Sequence, residues 1–354
     1  MILLPVEVVF HPAWWHKNAG ISFDENFFYD PRRRVEDERR MEKVLFDRFG
    51  DLGLGEDRDR DLPVIGAVHN AAGFLLSEML GCRVEYREDA PPLVVPAGRP
   101  DLVLDVEAAF RSPAYLRFCR LVEALKERFE RVVGDANWGG VLNLALDLRG
   151  QDIFLDMADR PEDVREYFAK IGAVIERFTA FVARETGTTS ISVNRLVRHL
   201  SEPVFLHSEC ALTMISAAHY EAFLLPIDRE WSERRRPFGI HYCGPDPHRF
   251  AEVFTRLPHL DFLDVGWGGD IRHLRRLLPR TFLNMRLSPV EILSQTADEI
   301  RRAIADRVAD SGDPSLTGVC CINMDDRVTD DKVRTIFETV FELRRSHVAA
   351  EAER

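Results

Sequence analysis

Histidine and cysteine residues lie at the ends of three short apolar runs of this sequence. The runs are FGIHYC with His241 and Cys243, PVFLHSEC with His207 and Cys210, and LTGVCCIN with Cys320 and Cys321. Side chains alternate along a strand, so His241 and Cys243 share one face. Of the adjacent pair in LTGVCCIN, only one cysteine can face inward.

These residue types can bind zinc. One histidine, one thiolate from the same strand end and a second thiolate from another strand give three ligands, and a carboxylate or water can complete a tetrahedron. Such an open position is typical of catalytic zinc, and the spacing is unlike that of a zinc finger. The alternative is that the cysteines pack in the core, as free cysteine often does.

Neighbouring residues add candidates for catalysis and substrate binding. Glu209 can be the fourth ligand or a proton donor to a leaving group, and His207 can share its face. Four further residues are predicted to line the substrate pocket: Trp15, Asn137, Asp264 and Trp267. For each of them, ordinary core or ion-pair contacts are the alternative.

The elements that position these residues alternate along the chain. Residues 30–50 are predicted to form a helix that Asp30 caps, Pro31 opens and Gly50 ends. Further helices are predicted over 67–81, 112–130, 161–185, 216–231, 247–257, 270–279, 289–309 and 330–347. Strands are predicted at 4–10, 131–135, 189–194, 203–207, 238–243, 261–266, 281–287 and 316–323.

Strands separated by single helices pair in parallel through right-handed crossovers. About eight such units predict an α/β fold, a (β/α)8 TIM barrel with an N-terminal extension, whose active site lies at the carboxyl ends of the strands. A dinucleotide-binding sheet is disfavoured because no glycine-rich turn follows the first three strands. We expect one domain over 1–354, with an N-terminal segment and entrance loops (1–60), a barrel body (61–345) and a tail (346–354).

Composition narrows the class of protein. The 354 residues are 45% hydrophobic and 30% charged, proportions that exclude disordered and collagen-like chains. The net charge of −12 argues against nucleic acid or an anionic membrane as a partner. There is no membrane-helix run and no signal-peptide pattern. We therefore expect a cytoplasmic protein whose six scattered cysteines form no disulfide framework.

Several longer stretches resemble the uroporphyrinogen decarboxylase superfamily. They are HYCGPDPHRFAEVF, DFLDVGWGGDIRHLRRLLP, LSPVEILSQTADEIRRAI, DMADRPEDVREYFAKI and SECALTMISAAHYEAFLLP, with a weaker likeness in HPAWWHKNAG. Together they extend over nearly the whole chain. Members of this superfamily are (β/α)8 barrels of two kinds, metal-free porphyrinogen decarboxylases and methyltransferases that work with corrinoid proteins.

The zinc-dependent methyltransferases of this superfamily carry a His-x-Cys pair and one more cysteine far downstream. The resemblance implies His241, Cys243 and either Cys320 or Cys321 as ligands, with Cys320 favoured by the length of the spacer. It also implies Zn²⁺ and a corrinoid (cobalamin) carried by a separate protein that docks at the barrel mouth. The aromatic segment around Trp15 suits a small O-, N- or S-methylated substrate such as an aryl methyl ether.

A metal-free decarboxylase is the alternative function. Porphyrinogen decarboxylases carry an Arg-Gln-Ala-Gly-Arg segment near the N-terminus, and the matching segment here is HKNAGIS, with Lys17 and no arginine at either end. Arginine pairs carboxylates in a bidentate manner that lysine does not reproduce. The sequence therefore favours a zinc-dependent methyltransferase or demethylase.

Overall fold

The computed structural model describes residues 3–56, 64–66, 73–129, 132–135, 138–186 and 204–353. Its strands are β1 (Val6–Phe10), β2 (Val64–Gly66), β3 (Arg83–Glu85), β4 (Leu93–Val95), β5 (Val133–Asp135), β6 (Phe205–Ser208), β7 (Phe238–His241), β8 (Phe262–Val265), β9 (Phe282–Leu287) and β10 (Thr317–Met324). The strands predicted at 4–10 and from 203 onward are therefore present, each within about three residues of its expected ends. The strand predicted at 189–194 lies outside the described residues.

Helices separate most of these strands. They are α1 (Pro12–Ala19), α2 (Glu25–Tyr29), α3 (Pro31–Phe49), α4 (Leu75–Met79), α5 (Val106–Ala109), α6 (Pro113–Phe129), α7 (Val141–Arg149), α8 (Asp152–Asp159), α9 (Pro161–Thr186), α10 (Ala217–Phe223), α11 (Leu225–Arg234), α12 (Ala251–Phe254), α13 (Ile271–Leu277), α14 (Glu291–Ser294), α15 (Ala297–Ser311) and α16 (Asp330–Ala352). From β6 to β10 every strand is followed by at least one helix, as a parallel sheet requires.

Six strands form a curved parallel sheet in the order β1-β10-β9-β8-β7-β6. A second parallel pair joins β2 to β5, and β3 pairs with β4 in an antiparallel hairpin. The fold is thus mixed α/β and resembles a TIM barrel. Within the described residues no hydrogen-bonded pairing joins the two parallel sheets, so the closed eight-stranded barrel stays a prediction, as does the division into 1–60, 61–345 and 346–354.

Local signals set the ends of the long helices. Asp30 accepts hydrogen bonds from the backbone N–H groups of Arg32 and Arg33 at 2.8 and 2.9 Å, Pro31 occupies the first turn, and α3 ends at Gly50. These caps satisfy backbone donors that have no partner inside the helix. The helix predicted over 30–50 is confirmed, and the one predicted over 161–185 matches α9.

The two faces of the six-stranded sheet bury different residues. On one face, alternate side chains such as Leu263, Val265 and Met285 enter the main hydrophobic core beneath the helices. On the other face, the rings of Phe262 and Phe282 stack with centroids 5.6 Å apart. Further along β8 and β9 the same alternation gives Asp264, Asn284 and Arg286 on this inner face, all buried. The inner face is therefore apolar toward the start of these strands and polar toward their carboxyl ends.

The segment after β1 is part of the core. Trp14 and Trp15 lie in α1 with side chains 1% and 4% exposed, and Phe10 stacks on Trp14 with ring centroids 3.9 Å apart. Of the helix predicted over 67–81, the described part begins at residue 73 and contains α4. No helix in the described ranges has the length and apolar character needed to cross a membrane.

Candidate metal centre

Three side chains that can bind a metal meet where β6 and β7 end. Ligand atoms of Cys210, His241 and Cys243 all lie within 4.8 Å of one another. His241 is the last residue of β7, and Cys243 follows two residues later. Cys210 comes two residues after β6, which pairs with β7 so that Ser208 is opposite His241. The group therefore depends on two adjacent parallel strands that end at the same level.

A buried carboxylate orients the imidazole of His241. Its Nδ1 lies 2.7 Å from Oδ2 of Asp264, and Oδ1 of Asp264 accepts a hydrogen bond from Asn284 at 2.7 Å. A carboxylate in this place keeps the proton on Nδ1, which leaves Nε2 as the ligand atom. Burial lowers the pKa of His241, but Asp264 and Cys243 outweigh that effect, so the pKa is raised above its usual value.

The two thiols differ in protonation. A hydrogen bond from Cys210, together with His241, lowers the pKa of Cys243 to about 4 against the opposing effect of burial. The pKa of Cys210 is raised instead, by its hydrogen bond to Cys243 and by burial. The thiol of Cys243 therefore loses its proton more readily than that of Cys210, and a cation bound beside them favours loss of the second proton.

The loop that carries Cys243 is held by close backbone contact with the next loop. A Cβ atom added at Gly266, directly after β8, would lie 1.6 Å from the carbonyl oxygen of Gly244. One added at Gly268 would lie 2.3 Å from the carbonyl oxygen of Pro245. Only glycine allows this approach, and the position of Cys243 depends on it.

The predicted third sulfur lies elsewhere. Cys320 and Cys321 are fully buried in β10, which is the third strand from β7 in the sheet, whereas Cys210 follows the strand next to β7. Neither cysteine of β10 belongs to the group of side chains whose ligand atoms lie within 4.8 Å of one another. Burial raises the pKa of both thiols, that of Cys321 to about 12. The group therefore differs from the predicted set His241, Cys243 and Cys320 or Cys321, because Cys210 supplies its third ligand atom.

His207 and Glu209 form a buried link beside the group. Glu209 accepts hydrogen bonds from the backbone N–H groups of Leu142 and Asn143 at the start of α7, at 2.9 and 3.1 Å. Its Oε2 is 3.1 Å from Nε2 of His207, whose Nδ1 is 2.6 Å from Asp228. Both side chains are fully buried. Glu209 therefore caps a helix and pairs with His207, and neither belongs to the three-residue group.

The predicted pocket residues have different locations. Asp264 holds His241, and Trp267 is half-buried with its ring 5.9 Å from the guanidinium of Arg286. Trp15 packs against Phe10 and Trp14 in the core. Asn137 lies outside the described residues.

Sequence reasoning missed three contributors to this region. Cys210 lies at a predicted strand end, but the resemblance favours a downstream cysteine as the third ligand. Asn284 and Arg286 alternate at the end of the run TFLNMRL and are not among the predicted site residues. Polar residues at every second position of an otherwise apolar buried strand were the available signal.

Comparison with known proteins identifies relatives in fold. No protein-family model and no curated protein sequence matches the chain. A solved methyltransferase from Methanosarcina mazei superposes with a TM-score of 0.69 at 12% identity, covering 97% of this chain and 95% of that one. A B12-independent methionine synthase from Shewanella sp. W3-18-1, in complex with selenomethionine, gives 0.51 at 10% identity, covering 99% and 100%. The shared fold agrees with the resemblance to the uroporphyrinogen decarboxylase superfamily.

Proposed function

We propose that this chain is a zinc-dependent methyltransferase that moves a methyl group between a small methylated substrate and a corrinoid protein. The observation that carries the proposal is the meeting of Cys210, His241 and Cys243 within 4.8 Å at the carboxyl ends of parallel strands. Active sites of barrel-like α/β folds lie at these strand ends. The fold shared with a methyltransferase gives separate support.

The chemistry of the donor set suits zinc. Two sulfur atoms and one imidazole nitrogen are ligands that Zn²⁺ prefers, and three protein ligands leave one position for substrate. The carboxylate of Asp264 on Nδ1 of His241 is the usual outer partner of a zinc-bound histidine. When bound, zinc supplies a Lewis acid that polarises a poor leaving group or stabilises a thiolate.

The side chains prepare this centre in defined ways. Asp264 keeps a proton on Nδ1 of His241 and thereby presents Nε2. Cys243 contributes a thiolate at neutral pH, and Cys210 contributes a second one after losing its proton. Because His241 is buried and both thiols are half-buried, water has limited access to the ligand atoms.

The corrinoid protein is proposed as a docking partner at the strand ends. Cys210 and Cys243 are partly exposed at these strand ends, and this supports an approach of the methyl carrier from this side. The substrate class remains O-, N- or S-methylated, with aryl methyl ethers included. Because one relative in fold is named B12-independent, the assay must be run both with and without a corrinoid.

Zinc content tests the proposal first. Protein purified without chelator should hold about one zinc per chain. Cys210→Ser and Cys243→Ser should each weaken zinc binding by at least about tenfold, because a hydroxyl is a poor ligand beside a thiolate. Cobalt substitution should give the intense visible bands of a tetrahedral site with thiolate ligands, measured alongside metal analysis.

Matched cysteine variants serve as controls. Cys119→Ser changes a half-buried thiol on α6, and Cys320→Ala changes the buried thiol on β10; both should keep their zinc. If Cys320→Ala lost zinc while Cys210→Ser kept it, the ligand set would be wrong. A metal-free wild-type protein that is unaffected by added zinc would instead favour the decarboxylase alternative.

Activity is measured as methyl transfer from methylated substrates to cob(I)alamin, followed by its absorbance. The wild-type protein should transfer the methyl group, and the Cys210→Ser and Cys243→Ser variants should not. Transfer to a thiol acceptor in the absence of any corrinoid would contradict the proposed partner while leaving the zinc centre intact.

A further inference from the structure

Arg286 is a buried cation that has no carboxylate partner among the described residues. Its side chain comes from the end of β9 and the residue is 4% exposed. Its Nε is buried and has no hydrogen-bond partner. The nearest acceptor of Nη1 is Nε2 of His241, at the long distance of 3.4 Å. Among the described residues, no carboxylate lies within ion-pair distance of this guanidinium.

Another buried arginine of this chain, Arg34, does have a carboxylate partner. Arg34, 2% exposed, pairs with Glu38 at 2.8 Å. A carboxylate of the inner face, Asp264, has its two oxygens against His241 and Asn284. Buried charges are normally paired or hydrogen-bonded, since burial without a partner is costly. Arg286 therefore has hydrogen-bond donors that no described residue of the protein uses.

Metal binding at His241 would leave one more hydrogen-bond donor of Arg286 without an acceptor. Nε2 of His241 is the atom that a metal takes in the proposed centre, and Nη1 of Arg286 then loses its acceptor. Among the described residues, neither Nε nor Nη1 of Arg286 then has a hydrogen-bond acceptor.

We infer that Arg286 binds a carboxylate group of the methylated substrate, so that the substrate is an organic acid anion and not a neutral methyl compound. This inference rests on the proposed function, since it places the anion beside the metal centre. Nε and one Nη of a guanidinium lie on one edge and match the two oxygens of a carboxylate. The half-buried ring of Trp267, 5.9 Å from the guanidinium, offers an apolar surface for the rest of the substrate.

Calorimetric titration of the zinc-loaded protein tests the inference. The probes are 4-methoxybenzoate, 3-(methylthio)propionate and dimethylglycine, which cover O-, S- and N-methyl groups, each compared with its neutral amide. At least one carboxylate should bind the wild-type protein at least about tenfold more tightly than its amide. Arg286→Gln should abolish that preference, and Arg286→Lys should restore only part of it, because lysine lacks the bidentate geometry.

Arg272→Gln is the matched control. Arg272 is an exposed arginine on α13 that pairs with Asp310, and its replacement should leave carboxylate binding unchanged. If no carboxylate bound the wild-type protein, or if Arg286→Gln retained full preference for the carboxylate, the inference would be overturned.

The zinc content of the same samples separates this inference from the proposed function. Loss of carboxylate binding in Arg286→Gln at unchanged zinc content supports both. If the wild-type protein bound no zinc but still bound the carboxylate, and Arg286→Gln lost that binding, the anion site would be supported and the zinc-dependent methyltransferase would be overturned. If the protein bound zinc and Arg286→Gln did not change carboxylate binding, the proposed function would stand and the inference that Arg286 binds the substrate carboxylate would be overturned.

Discussion

His207 is buried between two carboxylates, and this makes the stability of the fold depend on pH. Burial lowers the pKa of His207, but Asp228 and Glu209 outweigh that effect and raise it to about 10. An unfolded histidine titrates near 6.5, so the folded state holds the extra proton between these values. In that state Nε2 of His207 donates to Glu209, and the backbone N–H of Val141, 3.1 Å away, loses Nε2 as its acceptor. The stabilisation is fully present below about pH 6.5 and is lost as the pH rises through about 10.

Unfolding in urea at pH 7, 8 and 9, with chelator in every sample, measures this effect. The free energy of unfolding should fall with pH, with a contribution from His207 of at most about 1.4 kcal/mol per pH unit. The His207→Gln variant should be less stable and should show a flatter dependence. An exposed histidine, His219, provides the control variant His219→Gln, which should keep the wild-type slope. Equal slopes in all three proteins would contradict a protonated His207.

At the same scale, local spacing could predict part of the candidate site. One predicted strand end carries both His241 and Cys243, and the structure brings the two side chains together. Their role as ligands stays a prediction. Cys210 could not be selected in this way, because its contact depends on β6 lying beside β7 with Ser208 opposite His241. That register depends on which strands pair in three dimensions, and the spacing of residues along a single sequence does not predict it.

At the scale of elements, the contact between the loops after β7 and β8 should control metal affinity. Gly266→Ala adds a methyl group 1.6 Å from the carbonyl oxygen of Gly244, so the loop that carries Cys243 must move. We expect zinc affinity to fall by about 10–100-fold, the range seen when support of a metal ligand is lost. Competition with a chromogenic chelator measures this affinity.

Gly172→Ala is the control for Gly266→Ala, because the added methyl group would make only ordinary van der Waals contacts. The Cβ of Gly172→Ala, within α9, would lie 3.5 Å from the nearest atom, in Trp231, and it should leave zinc affinity unchanged. If Gly266→Ala bound zinc as tightly as the wild-type protein, the loop contact would not position Cys243.

The bounds of helices and strands could be predicted from the sequence better than the contacts between them. Asp30, Pro31 and Gly50 set the ends of α3 through local chemistry that a short window of sequence contains. Trp15 was expected beside the pocket, but aromatic residues after a first strand can equally turn into the core. The choice depends on Phe10 and Trp14, which pack against it. Burial of an aromatic side chain is thus decided by neighbours and not by residue type.

For the whole molecule, metal removal should lower stability without unfolding the chain. The candidate centre lies at the ends of strands whose core is apolar and independent of any ligand. At free zinc about 1,000-fold above its dissociation constant, binding adds about 4 kcal/mol, which for a chain of this size corresponds to a melting temperature about 5 °C higher.

Thermal denaturation with and without chelator, followed by far-ultraviolet circular dichroism, measures that difference. The spectrum at 25 °C should not change on chelation. Cys243→Ser should melt at the chelated wild-type temperature and should not respond further to chelator. A chelated protein that lost its helical signal would show that the metal holds the fold together.

The pairing of β1 with β10 has a consequence for synthesis of the protein. Val6–Phe10 leaves the ribosome well before its partner in the six-stranded sheet, Thr317–Met324, which lies about 310 residues later in the chain. At about 5–20 residues per second, roughly 15 to 60 s pass before that partner exists. During this interval the nascent chain carries β1 without its partner, and the six-stranded sheet reaches its full width only after β10 has been synthesised.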